Sequence, residues 1–395
     1  MKRQYSLRIV ITLMLLASAL TWVGVMLFVG IPLGAMSGRS NLVRDYAALL
    51  TRIDDFFIGE FDEEHVTTAA MRAAIDALDD PWSFFMTAEE YERNQDHTLN
   101  RYPGIGVTVV FDDEAGYIRV VEVFRGSAAE TAGILPGDLI LAVDGEDSAG
   151  ISLPELRGKL RRPIGQSAQI KIERSGGETE TVEVVFSHIT IIPLSYEMLD
   201  DGIGYIRLYN FNAGSADGFI GAVRSLMSQG AVGLIFDMRG NGGGWVTEMT
   251  QMLDFLLPEG DIFVAVDASG RETVTTSGPD YLDMPMVVLV DRFSFSGAEY
   301  FAAIMSEFGF AQTVGEQTTG KSRMQRVVRL PGGGAINISI AEYLTKNRVS
   351  LHDAGGFTPD YTVLLTDEEL ALFLTDSLEY DPQLQKAIYL LATSK

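Results

Sequence analysis

The sequence predicts a layered α/β domain, preceded by a small β-rich module, a helical region and a membrane-spanning N-terminal segment. Three observations carry this. From Ile189 onward, apolar strand-like runs alternate with amphipathic helical stretches, the pattern of a sheet covered by helices. Between Pro103 and Val185, short β-branched runs are separated by glycine turns, which favours extended chain. Between Ile9 and Gly38 there is no charged residue.

The N-terminal segment is assigned to residues 1–38. Lys2, Arg3 and Arg8 precede the apolar heart Ile9–Ile31, whose roughly 23 residues suffice for the ~30 Å hydrocarbon core at ~1.5 Å per residue. The basic residues stay in the cytoplasm and send the remainder across. The expectation is a single-pass anchor in the inner membrane with the folded part in the periplasm. A cleaved signal peptide is the competing reading and would release a periplasmic protein. Ala17-Ser18-Ala19 has the small-x-small form, but a cut there leaves Trp22–Ile31 exposed; Leu33-Gly34-Ala35 is better placed. The run is also longer than a signal core of about 7–15 residues.

Composition excludes several classes of function. The formal charge is −24, and an acidic surface repels phosphate backbones, so nucleic acid is not an expected partner. With no cysteine in the chain, disulfides, thiolate zinc sites and a cysteine nucleophile are ruled out.

Residues 39–100 read as helical. Leu42, Tyr46, Leu49, Leu50 and Ile53 follow helical spacing, and Ala69–Leu78 forms a second segment that Asp80-Pro81 stops. Thr87 reads as the cap of a third helix. The β-rich module, 101–188, has strands at Val107–Phe111, Tyr117–Val123, Leu139–Val143, Gln169–Arg174 and Thr181–Val185. In the α/β part, 189–362, strands are expected at Gly204–Tyr209, Val232–Phe236, Met286–Val290, Gln325–Leu330 and Ala335–Tyr343. Helices are expected at Ser215–Ser228, Val246–Leu257 and Ala298–Phe308. The tail, 363–395, ends in an amphipathic helix at Asp381–Leu391.

Three glycine-linked stretches carry candidate chemistry. Asp237-Met238-Arg239-Gly240-Asn241-Gly242-Gly243-Gly244 follows an apolar strand; glycines there free N–H groups to face a developing oxyanion, or simply make a tight turn. Asp291-Arg292-Phe293-Ser294-Phe295-Ser296-Gly297-Ala298-Glu299 joins a strand to a helix, which makes Ser296 a helix cap or a nucleophile. Gly315–Ser322 matches the phosphate-loop pattern letter for letter. That loop needs a helix at Lys321-Ser322, whereas the following residues are β-branched and end in Pro331-Gly332.

The histidines His65, His97, His188 and His352 offer no triad beside a strand-to-helix turn, and no metal cluster stands out. A lysine serves as base when burial lowers its pKa. For Lys321 the expected apolar setting is Phe293, Phe295, Met324 and Val327. Gln325, four residues on, is expected on the same face to orient the amine.

At these residues the chain resembles the carboxyl-terminal processing, or tail-specific, proteases. Their S-A-S-A-S-E-like nucleophile motif corresponds to Ser294–Glu299 and points to Ser296. Their G-K-x-x-x-Q segment corresponds to Gly320-Lys321 and Gln325, and their D-x-R-x-N-x-G-G segment to Asp237–Gly244. The resemblance implies Ser296 as nucleophile, Lys321 as base, Gln325 as its partner, and the N–H groups of Gly243 and Gly297 as oxyanion donors. It implies a PDZ domain in which Gly104, Ile105, Gly106 and Val107 form the carboxylate-binding loop. It also implies a crotonase- or ClpP-like mixed-sheet core with no cofactor and no metal.

Leu78–Ser83 and Gly356–Asp360 belong to the same pattern. Phe295 replaces the family's small residue, with the expected effect of narrowing the pocket or burying Lys321 more deeply; Gly297 loosens the oxyanion turn. The expected function is PDZ-gated cleavage of unstructured C-terminal tails of extracytoplasmic proteins. An adaptor protein and a homo-oligomer are compatible with it. The alternatives are a catalytically impaired PDZ scaffold and, more remotely, a nucleotide binder.

Overall fold

The computed structural model describes residues 40–124, 126–160, 162–366, 369 and 381–393. The expected membrane anchor, 1–38, lies outside them; among the described residues no helix is long and apolar enough to cross a membrane. The chain divides into two compact units, one ending at Ala73 and the other beginning at Ala74.

The first unit carries α1 (Ser40–Phe56) and most of α2 (Glu63–Asp76). The second helix starts earlier than its apolar spacing suggests. Asp62 Oδ1 accepts from the N–H groups of Glu64 and His65, and such a cap starts a helix without any apolar residue.

In the second unit, β1 (Phe84–Met86) precedes α3 (Ala88–Thr98). Thr87 caps α3 as expected: its Oγ accepts from Glu90 N while its own N–H donates to the Glu90 carboxylate. The strand β1 corrects the reading of 39–100 as wholly helical. It pairs with a strand of the distant α/β part, and three residues are too few to show a strand period.

The β-rich module contains β2 (Arg101–Gly104), β3 (Val107–Asp112), β4 (Tyr117–Val123), α4 (Ala128–Thr131), β5 (Leu139–Val143) and β6 (Glu146–Asp147). It continues with α5 (Leu153–Lys159), β7 (Ser167–Glu173), β8 (Thr179–Val185) and β9 (Ser187–Thr190). The antiparallel sheet runs β3-β4-β5-β7-β8, and β2 pairs with β9 in a separate two-stranded sheet. Ile118, Val120, Ile140, Leu156, Ile170, Ile172 and Val184 form its core.

The α/β part holds β10 (Leu194–Met198), β11 (Ile203–Leu208), α6 (Ser215–Ser228), β12 (Gly233–Asp237), α7 (Val246–Leu256), β13 (Gly260–Asp267) and β14 (Glu272–Ser277). After these come β15 (Met286–Val290), α8 (Gly297–Glu307), β16 (Ala311–Gly315), β17 (Arg323–Arg329), β18 (Ala335–Leu344), β19 (Tyr361–Thr362) and α9 (Pro382–Thr393). One sheet runs β10-β11-β12-β15-β16-β19, parallel except for the edge strand β10. Alternate residues of β12 and β15 feed two cores. Leu234, Phe236, Met286, Val288 and Val290 meet α6, α7 and α8. Ile235, Val287 and Leu289 meet Leu384, Ala387 and Leu390 of α9. Burial on both faces explains why these strands read as continuous apolar runs.

The second, antiparallel sheet runs β1-β18-β13-β14, with β17 also on β18. Its strands β13 and β14 and the edge strand β10 were not expected: β14 is polar and exposed except at Ser277. Because β12, β15 and β16 are parallel neighbours, the loops leaving their C-terminal ends stand side by side, the usual position for a site on such a sheet.

Candidate active site

Those three loops carry Gly240–Gly244, Ser294–Ser296 and Glu316–Lys321. Ser296 opens α8 with φ 57° and ψ −121°. By contrast, the helix caps Thr87, Ser127 and Ser152 are all extended. A non-glycine residue held at positive φ costs about 1–3 kcal/mol and is found where a strained turn presents a side chain. Ser294, two residues earlier, is fully buried; its hydroxyl donates to Met238 O and accepts from Asp291 N. Of the two serines, only Ser296 is accessible.

The glycine loop is fitted against this turn. A Cβ on Gly243 would fall 2.7 Å from Gly297 N and 2.8 Å from Ser296 Cβ. The Gly243 N–H, however, already donates to Asn241 Oδ1 at 2.8 Å. Gly244 pairs as an isolated parallel bridge with Phe211, through Phe211 N to Gly243 O and Trp245 N to Phe211 O. In such a bridge the N–H of Gly244 itself points away from Phe211. Among the described residues neither Gly244 N–H nor Gly297 N–H has an acceptor, and the Cβ position of Gly297 lies 3.7 Å from Gly244 N.

Lys321 follows β16 and precedes β17. Its ammonium stands 4.7 Å from the centre of the Trp82 ring and 5.8 Å from that of Phe295, and those rings are themselves stacked. Burial pulls its pKa below the usual lysine value, opposed by the charges of Glu299 and Asp80. The aromatic setting therefore differs from the expected one: Phe295 contributes, while Phe293 and Val327 are exposed. Trp82 was missed. Its signal was the Pro81-Trp82-Ser83 run, which Asn337 Nδ2 and Ser339 N dock onto β18.

Gln325 is not brought to Lys321. Its amide donates to Arg323 O and Ser339 Oγ. The expected shared face requires regular chain from 321 to 325, whereas Lys321 and Ser322 lie before β17, which begins at Arg323. Among the described residues no hydrogen bond joins Ser296 Oγ to Lys321 Nζ either.

Two further residues meet the site. The buried Tyr343 donates its hydroxyl to Lys321 O and lines, with Ser296, Tyr300, Phe263 and Met249, a small apolar pocket. Glu299 is fully buried, and every one of its partners is a donor: Ser296 N, Lys321 N, Gly320 N and Thr318 Oγ1. The strand that follows Lys321-Ser322 also replaces the helix that a phosphate loop requires. His352, exposed in its loop, places Nδ1 3.3 Å from Gly320 O.

In the β-rich module, Gly104–Val107 and β3 line a groove of about 500 Å³ with Phe124, Leu156 and Leu160. Gly106 has φ +84°, and a Cβ there would collide with Ser127. Among the described strands β3 pairs only with β4, so its other edge is open beside α5.

Residues 202–363 match the model of peptidase family S41, and residues 119–174 that of the PDZ domain. A carboxyl-terminal-processing protease of Picosynechococcus sp. is 31% identical over 336 residues, 84% of this chain and 79% of that protein. A carboxyl-terminal-processing protease of Synechocystis sp. is 30% identical, over 82% of this chain and 77% of that one. A crystal structure of a Bacteroides fragilis protein assigned to the S41 proteases shares the fold, with TM-score 0.51 and 18% identity. The match covers 85% of this chain and 92% of that one. With a PDZ domain, an S41 core and two such relatives matched over most of both chains, the chain belongs to peptidase family S41, the carboxyl-terminal-processing serine proteases.

Proposed function

We propose that the chain is a PDZ-gated endopeptidase that cuts C-terminal tails of extracytoplasmic proteins with a Ser296–Lys321 dyad. The observation that carries the reading is the strained backbone of Ser296, which presents its hydroxyl beside two N–H groups without acceptors and a lysine half-buried among aromatic rings. A tail enters the PDZ groove with its carboxylate at Gly104–Val107, and its backbone adds to the open edge of β3. Leu156, Leu160 and Phe124 favour an apolar last residue.

Cleavage then follows acyl transfer. Neutral Lys321, swinging on its four-carbon stem from the face of Trp82, takes the Ser296 proton as Oγ attacks the scissile carbonyl. The N–H groups of Gly297 and Gly244 receive the oxyanion; Gly244 replaces Gly243 in this role because the Gly243 N–H is held by Asn241. The lysine returns its proton to the leaving amine, and water releases the acyl group by the same steps. Residues 1–38 tether the enzyme to the inner membrane, with the catalytic part outside the cytoplasm.

The test is incubation of the chain lacking residues 1–38 with an unfolded protein bearing an apolar C-terminus. Wild type is expected to cut it and S296A to leave it whole. Tail binding without any cutting by wild type would instead favour the PDZ scaffold.

A further inference from the structure

One carboxylate links the nucleophile to the base. Glu299 Oε1 accepts from Ser296 N at 2.9 Å and from Lys321 N at 2.7 Å. Its Oε2 accepts from Thr318 Oγ1 at 2.6 Å and from Gly320 N at 2.9 Å. A helix cap needs only the first of these bonds. The other three reach across to the loop after β16, which Thr319 also ties to the segment before Ser296, through its N–H to Ser294 O and its hydroxyl to Arg292 O.

We propose that Glu299 is the positioning residue of this active site: as an anion it fixes the backbone of Ser296 and that of Lys321 to each other through a single oxygen atom. The inference rests on the Ser296–Lys321 reading and assigns no chemistry to Glu299 itself. Four donors converge on the side chain, and Thr318 Oγ1 is set to donate because it accepts from Phe357 N; this pattern suits the ionised form although burial opposes it.

The arrangement has a second consequence. A buried negative charge behind the lysine backbone favours the ammonium form and so limits how far burial lowers the pKa of Lys321. The other charged or titratable groups facing this cluster are Asp80, which pairs with Arg323 at 3.0 Å, the Tyr343 phenol and the His352 ring at Gly320 O.

E299Q and E299D separate positioning from general support of the fold. In E299Q the amide keeps the shape, loses the charge and turns an NH₂ toward donors. Its kcat is expected to fall at least tenfold with KM little changed, and the acid limb of its kcat/KM profile to move to lower pH. That shift is on the order of one unit, the coupling of two charges at partial burial. E299D keeps the charge but shortens the reach, so its kcat falls while its acid limb stays at the wild-type pH.

A residue that merely supports the fold would lower kcat and melting temperature in both variants and leave both acid limbs in place. That result, or wild-type kcat in either variant, overturns the proposal. If E299Q does not fold, the kcat of E299D still decides. Cleavage that survives S296A and K321A would overturn the dyad, whereas silent Glu299 variants with a working dyad overturn only this inference.

Discussion

Replacing Gly243 by alanine tests how closely the glycine loop is fitted to the nucleophile. The added methyl would lie 2.7 Å from Gly297 N, 2.8 Å from Ser296 Cβ and 3.1 Å from Phe295 O. None of these atoms can rotate away, since all belong to the backbone or to the first carbon of a side chain. Overpacking of this kind costs about 1–3 kcal/mol, and the left-handed conformation at φ +85° adds about 1–2 kcal/mol for alanine.

Gly270 provides the control. It has nearly the same φ, +80°, but a Cβ there meets nothing within 4 Å, so G270A carries the strain alone. At ~2–4 °C per kcal/mol for a chain of this size, G270A should melt a few degrees low with normal kcat. G243A should melt lower still. It should also lose about 10²–10³-fold in kcat/KM, the loss typical when an oxyanion donor is displaced. Both are read by thermal unfolding and by hydrolysis of an unfolded protein at a temperature where each variant is folded. Normal kcat in folded G243A would refute the fit of this loop to Ser296.

Arg239 has no exposed side chain and lies 2.5 Å from Asp237 and 2.7 Å from Asp381 at the start of α9. R239M leaves two buried carboxylates without their cation, and a loss of about 3–5 kcal/mol is expected in denaturant unfolding. In the PDZ groove, L160D places a charge where an apolar tail residue would lie; KM for tail-bearing substrates should rise at least tenfold while a fluorophosphonate still labels Ser296. The proposed dyad needs its base neutral, so cleavage should fall on acidification as Lys321 takes up a proton. Burial lowers its pKa, so the midpoint of the acid limb in kcat/KM should lie below the ordinary lysine value of ~10.4; a midpoint at that value would contradict the burial.

Much of this molecule was legible where chemistry dictates residue type. Gly243 occupies a place that few other residues fit, since a Cβ there would meet Gly297 N and Ser296 Cβ, and its glycine-rich run marks one of the loops at the C-terminal edge of the sheet in the sequence itself. The strands β12 and β15 were readable because both of their faces are covered. What stayed hidden depends on contacts between distant segments. Trp82 reaches Lys321 only because β1 joins β18, a pairing some 250 residues apart in the chain. Gln325 does not share a face with Lys321 because an offset of four assumes regular chain, and Lys321 and Ser322 lie before the strand that begins at Arg323. Glu299 looked like the last letter of a motif, because its partners lie on another loop.

The most direct test is proteolysis of an unfolded, apolar-tailed protein by wild type, S296A and K321A, with mass analysis of the products and melting curves of all three. The expected result is fragments from wild type alone, with three similarly stable proteins and fluorophosphonate labelling of wild type that S296A abolishes. Fragments of the same size from a folded S296A or K321A would contradict the dyad.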